Sequence, residues 1–273
     1  MAQLPLSLLV AWAGFACGMA VAWWVDRRTG NAGWVDVAWT VSLTLATALG
    51  IWTAAAMGAA IDPLSVTVTM GLVGLWALRL AGHLAARSRS KEDDPRYRKM
   101  RDEWGDRAPT EMAKVLQWQA LASLPLVFSL LMAATVPGPF VPLLVLPGVF
   151  VSGLGLWVGW KADRDLRVFK QSQSGLCTVG LWRLSRHPNY VGEILFWTGI
   201  ALLSLGHGLA GWLAGLGPLT IYLLLRFVSG VPPLEAHMAA KHGASFEAYR
   251  ASTPVLFPWP ISRRNRHTPA GHE

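Results

Sequence analysis

The chain has 273 residues, 53% of them hydrophobic and only 15% charged, a balance that excludes an ordinary soluble domain. The formal net charge is +8, but the basic residues follow a membrane topology. That placement excludes a free nucleic-acid-binding face and calls for no acidic macromolecular partner.

A bilayer core needs roughly 20 apolar residues per helix, and seven segments qualify: about 4–25, 34–57, 64–82, 115–136, 139–160, 191–206 and 209–227. The first lacks a basic leader, is too long for a signal-peptide core and is followed by Asp26-Arg27-Arg28. It is therefore expected to remain as a span. Cys17 falls in that span and Cys177 in a polar connection, so no disulfide and no cysteine metal site are expected. Between the third and fourth spans, residues 86–112 carry mixed charges and Trp104, which predicts a short interfacial helix. In the fifth, Gly153, Gly155 and Gly159 lie inside an apolar helix. That predicts close helix packing and not a dinucleotide turn. After the seventh, Val231-Pro232-Pro233 breaks the helix. Leu234 to about Arg250 then predicts an amphipathic helix on the membrane surface, ended by Pro254 and Pro258-Trp259-Pro260. Residues 1–260 thus read as a single polytopic domain and 261–273 as a disordered tail.

The 24 Lys and Arg residues fall in the connections near 26–33, 83–114 and 161–190, in the C-terminal region, or at helix ends facing them. The N-terminus and the connections near 58–63, 137–138 and 207–208 hold none. The positive-inside rule then predicts seven spans with the N-terminus outside and the C-terminus in the cytosol. Ionisable groups gather at the same helix ends: Asp36, Arg79, Asp163, Asp165, Arg167, Glu193 and Arg226. A polar chamber open to the cytosol is expected there, under an apolar outer half. The plainer reading of these charges is structural, with Asp36 pairing Arg79, and Glu193 pairing Arg226 or Arg186. His237 and His242 are five apart and on different helix faces, so no metal site is expected.

The densest polar cluster is Arg183, Ser185, Arg186, His187, Asn189 and Glu193, running straight into the apolar sixth span. Asn189 and Glu193 share a helix face one turn apart. The segment Leu181–Gly199 resembles the C-terminal signature of the steroid 5α-reductase superfamily, most closely its bacterial membrane branch. The likeness extends to Asn31–Trp39, to Trp76–Arg79 with Asp94-Pro-Arg-Tyr97, and to Ala162–Lys170.

That resemblance implies a seven-helix enzyme of the bacterial inner membrane with its active site facing the cytoplasm. It would use NADPH to reduce a carbon–carbon double bond conjugated to a ketone, as in a 3-oxo-Δ4 steroid. Its partners would be a hydrophobic small molecule and the bilayer, and it implies no obligate protein partner. Asn189, Glu193, Asp163 and Arg167 match cofactor-contacting residues. Arg186, His187, Tyr190, Arg79 and Tyr97 fall in the same motifs, and His237 is a looser match after the last span. Asp36 stands where eukaryotic members carry the acid of a Gln-Glu pair beside the substrate ketone, and Trp76 replaces a tyrosine that assists catalysis. Asp36 and Trp76 are therefore the implied catalytic pair, with Trp39 and Trp34 lining the substrate chamber. Asp36 can act as an acid only if it stays protonated near neutrality.

A second family, the isoprenylcysteine-type membrane methyltransferases, resembles the Arg-His-Pro-x-Tyr-x-Gly segment. It also resembles a C-terminal pattern echoed by Glu235, Gly243, Phe246, Tyr249 and Pro254. That likeness implies S-adenosylmethionine in the pocket with Glu235 helping to bind it. A non-enzymatic membrane protein of the same fold would bind neither cofactor. Transport is disfavoured, because no ionisable path crosses the outer half.

Overall fold

The computed structural model describes residues 3–89, 95–135 and 142–257. Asp94, Pro258-Trp259-Pro260 and the predicted tail at 261–273 lie outside them.

Proline opens most of the helices, because the first turn does not use the amide it lacks. The first three are α1 (Leu4–Thr29), α2 (Gly33–Ala56) and α3 (Pro63–Ser88). Gly30 ends α1 in the left-handed region at φ 63°, donating its amide to the Asp26 carbonyl. Asn31 then ties two helices together: its Oδ1 accepts from the Gly33 amide at 2.9 Å, and its Nδ2 donates to the Ser88 carbonyl at 2.9 Å. Asp62 caps α3 through the Ser65 amide at 2.7 Å.

The predicted interfacial helix is shorter than its polar segment: α3 runs on to Ser88, and among the described residues α4 (Pro95–Trp104) and a 3-10 turn over Gly105–Arg107 lie between it and α5 (Ala108–Ala122). The predicted fourth span is made of α5 and α6 (Leu124–Ala134), which meet at Ser123 because Pro125 cannot donate to the ladder. The long α7 (Pro142–Ser172) precedes α8 (Pro188–Leu203). A run of 3-10 turns over Ser204–Gly215 follows. Gly208, at φ 64° and ψ −137°, reverses the chain so that α9 (Leu216–Leu223) packs back on α6 and α8. One π-type turn over Leu224–Val228 ends that segment. The predicted surface helix divides at Gly243, φ 51°, into α10 (Val231–His242) and α11 (Ala244–Ser252).

Six helical segments among the described residues are long and apolar enough to cross a membrane, and no strand is present among those residues. Leu45, Trp52, Leu78 and Phe150 stand exposed on them, as lipid-facing side chains do. This is an all-helical, multi-pass membrane architecture. Its interior is filled by Phe15, Leu43, Trp76, Leu116, Leu130, Phe196 and Trp197, all buried.

The most extensive helix pairing among the described residues is α7 with α8, and small residues let their backbones approach. A Cβ on Gly192 would stand 2.6 Å from the Gly159 amide nitrogen. One on Gly148 would stand 2.9 Å from the Gly199 carbonyl. Gly155 and Gly159 therefore pack as predicted, while Gly153 faces open space.

Candidate functional site

Most of the residues singled out in the sequence fall into three groups. The first lies where α3, α7 and α8 meet. Trp76 and Arg79 are three apart on α3, hence on one face. Trp76 Nε1 donates to Glu193 Oε2 at 2.8 Å. Arg79 donates to Glu193 Oε1 with one guanidinium nitrogen and to Asp163 Oδ2 at 2.9 Å with the other. This arrangement depends on Gly159: a Cβ there would come within 2.8 Å of Arg79 Nη1. The side chains of Arg79, Asp163 and Glu193 are only 12%, 10% and 12% exposed. In such a place, a charge is tolerated because it is paired.

His83, one turn beyond Arg79, brings Nδ1 to 4.0 Å from Asp163 Oδ2. Sequence reasoning missed it, although its spacing of four from Arg79 is a same-face signal. Asn189 sits one turn before Glu193 on α8. Its Oδ1 is buried without a partner among the described residues. Arg167, one turn after Asp163 on α7, is exposed. Trp76 itself is enclosed by rings. It stacks on Phe196 at 5.6 Å and meets the edges of Trp197 at 5.6 Å and Trp39 at 6.0 Å.

The second group gathers at the start of α2, around Asp36 and the Trp39 ring that meets Trp76. Arg96 from α4 donates to Asp36 Oδ2 at 2.6 Å. The neighbouring Tyr97 is buried and accepts from Gln119 Nε2 at 3.1 Å. Trp39 donates to Ser123 Oγ at 3.1 Å, and Trp34 is half-buried at the start of α2. The simple pairings expected from sequence are therefore replaced. Asp36 meets Arg96 and not Arg79, because α4 folds back against the helix ends. Arg79 takes Glu193, and Arg226 lies over the Phe227 ring at 5.0 Å. While Arg96 holds the Asp36 carboxylate, Asp36 is an acceptor.

The third group joins the start of α8 to the C-terminal helices. Glu235 on α10 accepts from Arg186 Nε at 2.8 Å and from His187 Nε2 at 3.0 Å. His187 stacks on Tyr190 with ring centroids 5.2 Å apart. Tyr249 reaches the carbonyls of Trp182 and Ser185, and burial pushes its phenol well above the usual value, so it stays a donor. His237 lies on the exposed side of α10, two residues from Glu235. Residues two apart do not share a helix face, and His237 joins none of the three groups.

Burial works against a charge on Glu235, but hydrogen bonds from His187 and Arg186, with their positive charge, override it. They hold its carboxyl at about 2, below the ordinary 4.5. A depressed carboxyl stabilises the fold above its unfolded-state value and loses that contribution as pH falls through the folded one. Pepsin cleavage of the C-terminal helices, relative to an unstructured peptide, is therefore expected to rise as pH drops from 4.5 to 2. Glu235→Gln should flatten that rise. A flat wild-type profile would show that the ion pair does not hold these helices.

Neither of two surface cavities reaches Glu193. One of about 330 Å³ runs between Thr178, Arg183 and α11. Another of about 170 Å³ lies at the opposite end, beside Ser7, Ala59 and His207.

The chain belongs to the DUF1295 family, described as proteins of unknown function, whose model matches residues 22–253. No curated protein and no solved structure matches it.

Proposed function

We propose that this protein reduces the carbon–carbon double bond of an enone lipid with NADPH, the 3-oxo-Δ4 steroids being the class of choice. The carrying observation is the buried Trp76–Glu193–Arg79–Asp163 network. It joins three of the stretches of chain that resemble the reductase superfamily, those holding Trp76 and Arg79, Asp163, and Glu193.

In this reading the chain crosses the bacterial inner membrane seven times, with its N-terminus outside and its C-terminus in the cytosol. Two facts support that. The last helical run, 55 residues from Pro188 to His242, contains a stretch apolar enough to span, is more than twice as long as one crossing needs and reverses at Gly208. The ends of α1, α3 and α7 that carry Arg27, Arg28, Arg87 and Lys170 are the ends that flank the three polar groups.

NADPH, when bound, would supply the hydride that the β-carbon of the enone receives, and a proton from water would complete the α-carbon. The residues fit such a group. Asn189 Oδ1 is a buried acceptor without a partner among the described residues, and Arg167 is an exposed cation one turn after Asp163 on α7. Asn189, Tyr190, Asp163, Arg167 and Glu193 would hold the cofactor. Arg79 fixes the two acids in place, and the Trp76 N–H orients the Glu193 carboxylate. At the other end, charge develops on the ketone oxygen as the double bond is reduced and needs a donor. There Asp36 works with Arg96, whose guanidinium supplies the N–H and positive charge while Asp36 holds it. Trp39 and Trp34 line the apolar path, and Trp76 must shift for a ring system to enter between the two groups.

The test is NADPH oxidation by the detergent-purified protein, with and without a Δ4-3-oxosteroid, and mass spectrometry of the product. Steroid-dependent oxidation with a gain of two hydrogens is expected. The absence of oxidation, with thermal stabilisation by S-adenosylmethionine and none by NADPH, would overturn the reading in favour of methyl transfer. The spatial meeting of Glu235 with Arg186-His187 favours keeping that arm.

A further inference from the structure

Glu235 lies far in sequence from the motifs of the proposed cofactor site, yet its carboxylate is where α10 meets the start of α8. We propose that α10 and α11 form a latch over the first turn of α8, and that Glu235 is the positioning residue that sets Asn189 and Tyr190 for the ligand. This rests on the reading of α8 as part of the cofactor site.

Most contacts across the joint run from the α8 side, with the Tyr249 hydroxyl of α11 donating back to the Trp182 and Ser185 carbonyls. Arg186, in the connection just before α8, donates to Glu235 and to the carbonyls of Arg250 at 3.0 Å and Thr253 at 2.6 Å. Its own amide donates to the Pro254 carbonyl at 2.9 Å, and Ser185 Oγ to that of Val255 at 3.2 Å. The Arg186 and His187 side chains are nearly withdrawn from solvent, at 8% and 4% exposure. Removing Glu235 would therefore strand two buried donors. Asn189 follows two residues later, and His187 stacks on Tyr190. The direction in which Asn189 presents its unpartnered Oδ1 depends on how this first turn is held.

The joint is also built to open. Its apolar contribution comes from Phe246, Tyr249 and Leu256, and the seam beside them keeps the open groove of about 330 Å³. A few charge-assisted bonds thus decide between closed and open. If a ligand on Asn189 needs the closed form, binding and closure must reinforce each other equally.

Trypsin reads closure directly, because Lys241 and Arg250 are exposed on helices that must open locally before they are cut. The full-length protein in detergent is digested with and without NADPH. Glu235→Gln is expected to speed cleavage at these two sites about tenfold, as loss of a charge-assisted bond does. NADPH is expected to slow it in wild type far more than in the variant. The Kd for NADPH should rise about tenfold with the rate at saturating NADPH kept within about twofold, and Glu235→Asp should restore part of the loss. Wild-type cleavage rates in Glu235→Gln would overturn the latch, whatever the cofactor. Protection of wild type by S-adenosylmethionine and not by NADPH would keep the latch and overturn the reductase reading. Protection by neither would overturn the coupling. If Glu235→Gln fails to fold, ligand protection of the wild type still decides that coupling.

Discussion

Glu193→Ala is expected to abolish steroid-dependent NADPH oxidation and to lower the melting temperature of the detergent-purified protein by the largest margin of any single side-chain truncation in the site. The structural half follows from what Glu193 holds. One carboxylate oxygen accepts the Trp76 N–H and the other accepts from Arg79. Truncation leaves a buried guanidinium with only Asp163, and breaking a buried pair costs about 3–5 kcal/mol. It also strands the Trp76 N–H in a fully buried setting, for roughly another 1–3 kcal/mol. Glu193→Gln separates the terms, since its amide oxygen can still accept from Trp76 while the negative charge is gone. Its stability should fall between the two, with activity lost. Trp76→Phe is a further comparison that removes the N–H together with part of the buried indole ring, so its cost includes a cavity. An alanine variant that melts with the wild type and turns over normally would overturn both the network and the reductase site proposed on it.

The helices were legible because their signals are local. Apolar length, proline at the first turns, Asp62 before α3 and Gly30 after α1 all act within a few residues. So was the packing of Gly155 and Gly159, since a small residue inside an apolar helix has few other uses. What the sequence could not give was partner choice. Asp36 is at a helix start and Arg79 at a helix end on what reads as one membrane face, and nothing in either helix distinguishes Arg79 from Arg96. The pairing is decided by α4, which folds back from a polar stretch with no periodicity of its own. Glu235 was visible only through the resemblance to the methyltransferases. Its contact with Arg186 spans 49 residues and depends on the breaks at Gly230 and Gly243. His83 was overlooked for a different reason. A lone histidine on an apolar helix is usually core, and only the contact with Asp163 from another helix gives it a place in the group.

The same glycines carry the second large effect, because the acid–arginine network stands on them. Gly192→Ala is expected to disrupt the fold although it adds one methyl group. The new Cβ would lie 2.6 Å from the Gly159 amide nitrogen and 2.8 Å from the Gly155 carbonyl oxygen. Both are backbone atoms of α7, so no side chain can swing aside, and α7 and α8 must separate. Overpacking costs about 1–3 kcal/mol when side chains can yield, and this site should fall at or above the top of that range. Separation would carry Asp163 on α7 away from Glu193 on α8, and Arg79, which lies across Gly159, could no longer reach both acids. Gly192→Ala should therefore lose thermal stability and the proposed NADPH affinity together, with no change in any group proposed to hold the cofactor. Gly153→Ala is the matched control. It lies on the same helix as Gly159, its Cβ would meet nothing within 4 Å, and alanine favours a helix by roughly 0.8–1 kcal/mol over glycine. Melting temperatures of the two variants in one detergent decide the matter. If Gly192→Ala melts at or above Gly153→Ala, the helices are not in backbone contact. The glycines would then not be what lets Arg79 bridge Asp163 and Glu193.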